Sequence, residues 1–88
     1  MGKYPGKDSD LTLTFHTKDP DSGHGKECET FYTTDLESWI VQGKKRGPNV
    51  RAQLANLAED ETFLEISDRT MAAFVQRYVK ERYGIDLN

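Results

Sequence analysis

Apolar residues between Met71 and Tyr83 recur at three- and four-residue steps. Met71, Phe74, Val75, Tyr78, Val79 and Tyr83 thereby share one face of an α-helix. Ser67 or Asp68 can cap its start, because a short side-chain oxygen accepts from the free N–H groups of the first turn. Gly84 can close it in the left-handed conformation, with Ile85 folding back toward Val79. Arg77, Lys80 and Arg82 oppose the negative end of the helix dipole. The pattern predicts a long C-terminal helix, and a helix with one apolar face needs a surface to lie on.

Upstream the period shortens to two. Leu11, Leu13 and Phe15 alternate with Thr12, Thr14 and His16, as in a strand with one wet face. Residues 18–27 hold Pro20, Gly23 and Gly25 and read as a polar loop. Residues 28–33 return as the second strand of an antiparallel hairpin, and the long loop leaves its buried face open. Thr34 and Glu37 have the spacing of a capping box, which predicts a short helix carrying Leu36, Trp39 and Ile40 and ending at Gly43. Pro48 suits the first position of a second helix over 49–59, with Val50, Leu54 and Leu57 on one face. Residues 62–66 form a third strand.

The expected order is therefore β-β-α-α-β-α. It describes an α+β two-layer sandwich, a hairpin plus a third strand covered by the C-terminal helix. Phe74, Val75 and Tyr78 should then pack on Leu13, Phe15 and Leu64. Residues 1–10, with Gly2, Pro5, Gly6 and four charged side chains, read as a flexible arm. Residues 11–88 make a single domain.

Composition narrows this picture. The hydrophobic fraction is 35% and the charged fraction 31%, so the few aromatics must carry much of the core. Cys28 is the single cysteine, which excludes an internal disulfide and fits a reducing compartment. No apolar run approaches the ~20 residues of a membrane helix, and the start of the chain lacks the apolar run of a signal peptide. The expectation is a cytoplasmic protein without a membrane partner.

Chemistry-bearing residues are present but lack a motif. His16, His24 and Cys28 do not have zinc-finger or ribbon spacing, and no metal or other cofactor is expected. Asp19, Asp21 and Gly23 open like a calcium loop, yet Pro20 is poorly placed and Thr30 stands where the bidentate glutamate belongs. A turn held by aspartate side chains fits better. Cys28 paired with His16 or His24 would need a third group to orient the histidine, and no serine lies in a nucleophile elbow. Signatures of RNA-recognition, KH, zinc-binding, phosphate-loop and dinucleotide modules are missing. The chain does not read as an enzyme.

Charge is unevenly placed. The net charge is −3, but residues 34–58 carry +2 through Lys44, Lys45, Arg46 and Arg51. Two functional readings follow. A compact chain without a reaction centre works by presenting a surface, as a regulator or inhibitor of a larger protein partner, and self-association obeys the same physics. Trp39, at the edge of its apolar stripe, is then the natural anchor. The competing reading is nucleic-acid binding through Lys44, Lys45, Arg46 and Arg51. If those four contact phosphates, binding falls steeply with salt, and alanine at all four flattens that slope. Trp39→Ala would instead cost about 2 kcal/mol or more of protein binding with the slope unchanged. Titrations at low and physiological salt separate the two.

Overall fold

Threonine, aromatic and β-branched side chains dominate three short runs, and such residues suit a pleated sheet better than a helix. In the computed structural model, which describes residues 6–21 and 28–87, these runs are strands. Strand β1 is Leu13–Lys18, β2 is Thr30–Thr34 and β3 is Trp39–Gln42. They form one antiparallel sheet in the order β1-β2-β3. A four-residue helix, α1, spans Pro48–Arg51, and the long helix α2 spans Asp68–Tyr83. A single 3-10 turn covers Asp8–Asp10. The α+β class and the C-terminal helix agree with the sequence pattern, whereas the element order differs in the middle of the chain.

The expected helix after Thr34 is a hairpin followed by β3. Thr34 does cap with its hydroxyl, but Oγ1 accepts the N–H groups of Leu36 and Ser38 across a tight turn. The Thr34 N–H reaches the Ser38 carbonyl, and Glu37 adopts φ 61°. This is a three-residue hairpin loop with its last residue left-handed. The second expected helix stops at Arg51, and the following N–H groups of Gln53 and Leu54 turn back to carbonyls only three residues earlier. Asn56 then takes φ 62°. Leu54 stays exposed, so the apolar stripe found no surface to sustain a longer helix. The expected third strand is reduced to one bridge, with reciprocal backbone bonds between Lys44 and Glu65 of 2.8 and 2.9 Å. Gly43 permits that approach, since a Cβ there would lie 2.7 Å from the Glu65 carbonyl oxygen.

A bulge decides which side of the sheet is covered. Phe15 pairs with Tyr32, but Thr17 pairs with Phe31, so His16 is an extra residue in β1. His16 and Thr17 both turn inward, and Lys18 is sent back out to water. The inner side carries His16, Thr17, Phe31 and Trp39. Phe74 of α2 stacks on Phe31 with ring centroids 4.1 Å apart and meets Trp39 and His16 edge-on at 5.1 and 5.6 Å. Tyr78 extends the cluster over Trp39. Leu13 and Phe15 therefore face away from α2, 45% and 53% exposed, and the expected packing of Phe74 and Tyr78 on them does not occur. Leu64 and Val75 are exposed as well.

The N-terminal end of α2 is as expected: Ser67 is the cap and its side chain accepts from Thr70 N. Gly84 closes the helix at φ 69°. Ile85 remains 51% exposed, and the return of the chain is made by polar bonds, Gln76 Nε2 to the Leu87 carbonyl and Lys80 to Asp86. Among the described residues no helix is long and apolar enough to cross a membrane. Because Phe74 is the common partner of Phe31, Trp39 and His16, Phe74→Ala should cost about 3 kcal/mol, within the range for large aromatic truncations. Removal of residues 67–88 should abolish the cooperative transition, as a bare three-stranded sheet has no cover. Urea unfolding followed by tryptophan fluorescence checks both.

Candidate functional site

Polar side chains fill most of the space where a core would be expected. Among the described residues Phe31 is the one buried large hydrophobic, while His16, Thr17, Asp19, Thr30 and Thr70 are buried with it. Such groups are tolerable inside only when their hydrogen bonds are satisfied. Every described buried side-chain nitrogen and oxygen has a partner.

Thr30 donates its hydroxyl to the Cys28 carbonyl, and the partners of the other four come from two clusters that tie α2 to the hairpin. At the start of α2, the Glu29 carboxylate accepts from Ser67 N at 2.9 Å, Ser67 Oγ at 2.7 Å and Thr70 Oγ1 at 2.6 Å. A carboxylate from outside the helix thus completes its cap, where the dipole favours negative charge. The hydroxyls of Thr70 and Ser67 hold the Glu29 carboxyl below its ordinary value. Beside it Arg69 makes a two-pronged contact with Asp19, 2.7 Å to Oδ1 and 2.9 Å to Oδ2, and Asp19 Oδ1 also accepts the Asp21 N–H. Arg69, first, and then that N–H lower the Asp19 carboxyl. The expected aspartate-held turn is therefore present at Asp19–Asp21, and Ser22, Gly23 and His24 lie outside the described residues.

The second cluster surrounds the bulge. His16 Nε2 lies 2.8 Å from Glu81 Oε1, and its Nδ1 meets Thr17 Oγ1. Arg77 bonds Glu81 and donates to the His16 carbonyl. His16, first, and then Arg77 keep the Glu81 carboxyl low. Hydroxyl, imidazole and carboxylate in line have the order of a nucleophile, base and orienting acid. Thr17 is only 8% exposed and His16 5%, with Phe74 and Trp39 packed on the imidazole, so a substrate has no approach. The string fastens α2 to β1. Cys28 Sγ lies 3.7 Å from Thr30 Oγ1, away from this string, and among the described residues no three His, Cys, Asp or Glu side chains are grouped to hold a metal.

Two surfaces remain. On the outer side of the sheet Phe15, Tyr32 and Ile40 form one row across all three strands, flanked by Leu13. The second surface is a groove of ≈ 460 Å³ lined by Arg46, Val50, Leu64, Glu65 and Ile66. Arg46 lies at 2.6 Å from Glu65 on its wall. Of the residues singled out from sequence, Arg46 lines this groove; Lys44 and Lys45 precede it in the chain, and they and Arg51, at the end of α1, are not among the lining residues. Trp39 is placed elsewhere, half-buried against His16, Phe74 and Tyr78 and in β3 rather than on a helix. The groove was not legible beforehand, because Leu64 and Ile66 were expected inside a strand.

Comparison with protein-family models gave no match, and neither did comparison with curated proteins or with solved structures.

The Glu29 cap carries a pH dependence. Its folded pKa lies below the ordinary 4.5, so its contribution is complete above that value and is lost as pH falls through the folded one. Asp19 adds the same sign from an ordinary value of 3.8. Glu29→Gln should lower stability at neutral pH by about 1–2 kcal/mol, the scale of charge-assisted hydrogen bonds. It should also flatten the loss of stability below about pH 4.5. Chemical unfolding at a series of pH values reads both effects.

Proposed function

We propose that this chain is a small protein-binding module that acts as a regulator or inhibitor of a larger partner. The observation that carries the reading is the imbalance between what the fold covers and what it leaves in water. Ten large hydrophobics among the described residues are exposed, on the outer sheet face, in the 54–64 loop, along α2 and in its tail. Scattered apolar residues at a surface are ordinary, but a chain with one buried large hydrophobic among its described residues and ten exposed ones gains most by covering them. About 800 Å² per partner is the usual extent of a specific interface.

The position of the ionisable groups supports the same reading over catalysis. The carboxylates with lowered pKa values, Asp19, Glu29 and Glu81, each lie in a tie between α2 and the hairpin. Perturbed groups at a reaction centre would converge on an open pocket instead.

Cross-linking in a native lysate, followed by reconstitution with each purified candidate, tests the proposal. A true partner at a hundredfold excess over its Kd adds about 2.7 kcal/mol, and this should raise the midpoint of thermal unfolding by roughly 10 °C or more for a chain of this size. The partner's own activity should change on binding. If no purified protein moves the midpoint, and a broad substrate panel reveals turnover, the enzyme reading replaces this one.

A further inference from the structure

We infer that the chain pairs with a second copy of itself through a face of α2 turned away from the sheet, with the two helices side by side and antiparallel. This surface belongs neither to the groove nor to the outer sheet face. It is a use of α2 separate from the binding of a regulated partner.

The face follows from the helical repeat. Of the apolar residues that recur along α2, Phe74 and Tyr78 meet the rings of the sheet. At about 100° per residue, Asp68, Met71, Val75, Val79 and Arg82 fall within an arc of roughly 80°, about a quarter turn from Phe74. Met71 and Val75 are exposed, Val79 is half-buried, and the charged residues at either end are exposed. The returning tail bonds to Gln76 and Lys80, on the flank beyond this arc. Three apolar side chains on successive turns thus stand between a carboxylate and a guanidinium.

The charges identify the occupant. Elsewhere on α2, Arg69 is paired with Asp19, Arg77 with Glu81, Glu81 with His16, and Lys80 with Asp86. Asp68 and Arg82 alone among the charged residues of α2 enter no ion pair with the described residues, and they are the two on the arc. The Arg82 guanidinium lies over the Tyr78 ring, 4.8 Å from its centroid, at the near edge of the arc.

The helix dipole accounts for the sign of each charge. It does not account for their sharing one arc, each seven residues from Val75. That spacing is self-complementary. A two-fold axis at Val75 brings Asp68 of one copy to Arg82 of the other, twice, and Met71 to Val79, twice, with Val75 against Val75. Every contact is then reciprocal, as an isologous interface requires. Antiparallel alignment also sets the two helix dipoles in opposition. A parallel pair would put Asp68 on Asp68 and Arg82 on Arg82. A uniformly acidic or basic partner would match one end of the face and repel the other. Two helices of this length meet over an area at the low end of specific interfaces, about 1,200 Å² in total, so the dimer is weak.

Sedimentation equilibrium of the full chain from micromolar to millimolar concentration should show a monomer–dimer equilibrium. Asp68→Arg and Arg82→Asp each set like charges at both ends of the pair, and each should weaken it about tenfold. Mixed in equal amounts, the two variants regain both opposite-charge contacts, so the mixture should associate about as tightly as the parent. A chain carrying both changes should recover its own dimer. Val75→Glu, which sets two carboxylates on the axis, should weaken pairing by about tenfold or more. Helical circular dichroism checks that each variant is folded. Where one is not, amide shifts of the unmodified protein on dilution decide the matter. Shifts along the arc from Asp68 to Arg82 support the pairing, and shifts centred on the groove or on Phe15, Tyr32 and Ile40 overturn it. A chain that stays monomeric at millimolar concentration overturns it, and so does a mixture that associates no better than either variant alone.

Discussion

The hydrogen bonding of one carboxylate, Glu29, sets the geometry on which the rest of the molecule depends. It lies just before β2 and completes the cap of α2, a distance of 38 residues along the chain to Ser67. Without such a tie, α2 would be placed by the aromatic contacts of Phe74 and Tyr78 with Phe31 and Trp39 and by the polar bonds at His16. With it, the first turn is fixed, Thr70 is sealed at 0% exposure, and Phe74 is delivered one turn later onto Phe31. Two turns beyond, Arg77 and Glu81 meet the bulge at His16. The helix is thus held at its start, middle and end, and two of the three attachments are polar.

Polar attachment has an energetic signature different from that of an oily core. Each buried hydroxyl or carboxylate contributes modestly when satisfied and costs more when its partner is removed. The fold gains specificity of docking from this arrangement and gives up the large hydrophobic reserve. The apolar side chains that would ordinarily provide that reserve are in water instead, on the outer sheet face and around the groove. A molecule built this way holds its own shape by matched polar contacts and keeps its hydrophobic area for something else.

The parts of the fold that were legible in the sequence are those in which one local signal had no competitor. Ser67, the 3.6-residue repeat and Gly84 all agree on α2. Between Thr34 and Gln42 two signals compete. Thr34 and Glu37 satisfy a capping-box spacing, but a threonine hydroxyl caps a tight hairpin with the same chemistry. The following Trp39-Ile40-Val41 run, aromatic and β-branched, then prefers a strand. The face of β1 was misread for another reason: alternation identifies two faces, and the long loop before β2 gave no register to say which was covered. The bulge at His16 left no mark in composition. The cations Lys44, Lys45, Arg46 and Arg51 were visible as a cluster along the chain, whereas the groove that Arg46 lines arises from the approach of residue 50 to residues 64–66, which no periodicity encodes. Trp39 was expected on a short helix and stands instead in β3, where it is a neighbour of Phe74.

The single bridge between Lys44 and Glu65 holds the groove together. Leu64, Glu65 and Ile66 belong to the loop between α1 and α2, which meets the segment after β3 at that bridge through two backbone hydrogen bonds. The loop contains no extended helix or strand between Ala52 and Leu64 to stiffen it. Two hydrogen bonds are thus the backbone tie by which residues 52–64 return to the segment after β3, and Gly43, which lets the two chains approach, is the position on which that tie depends.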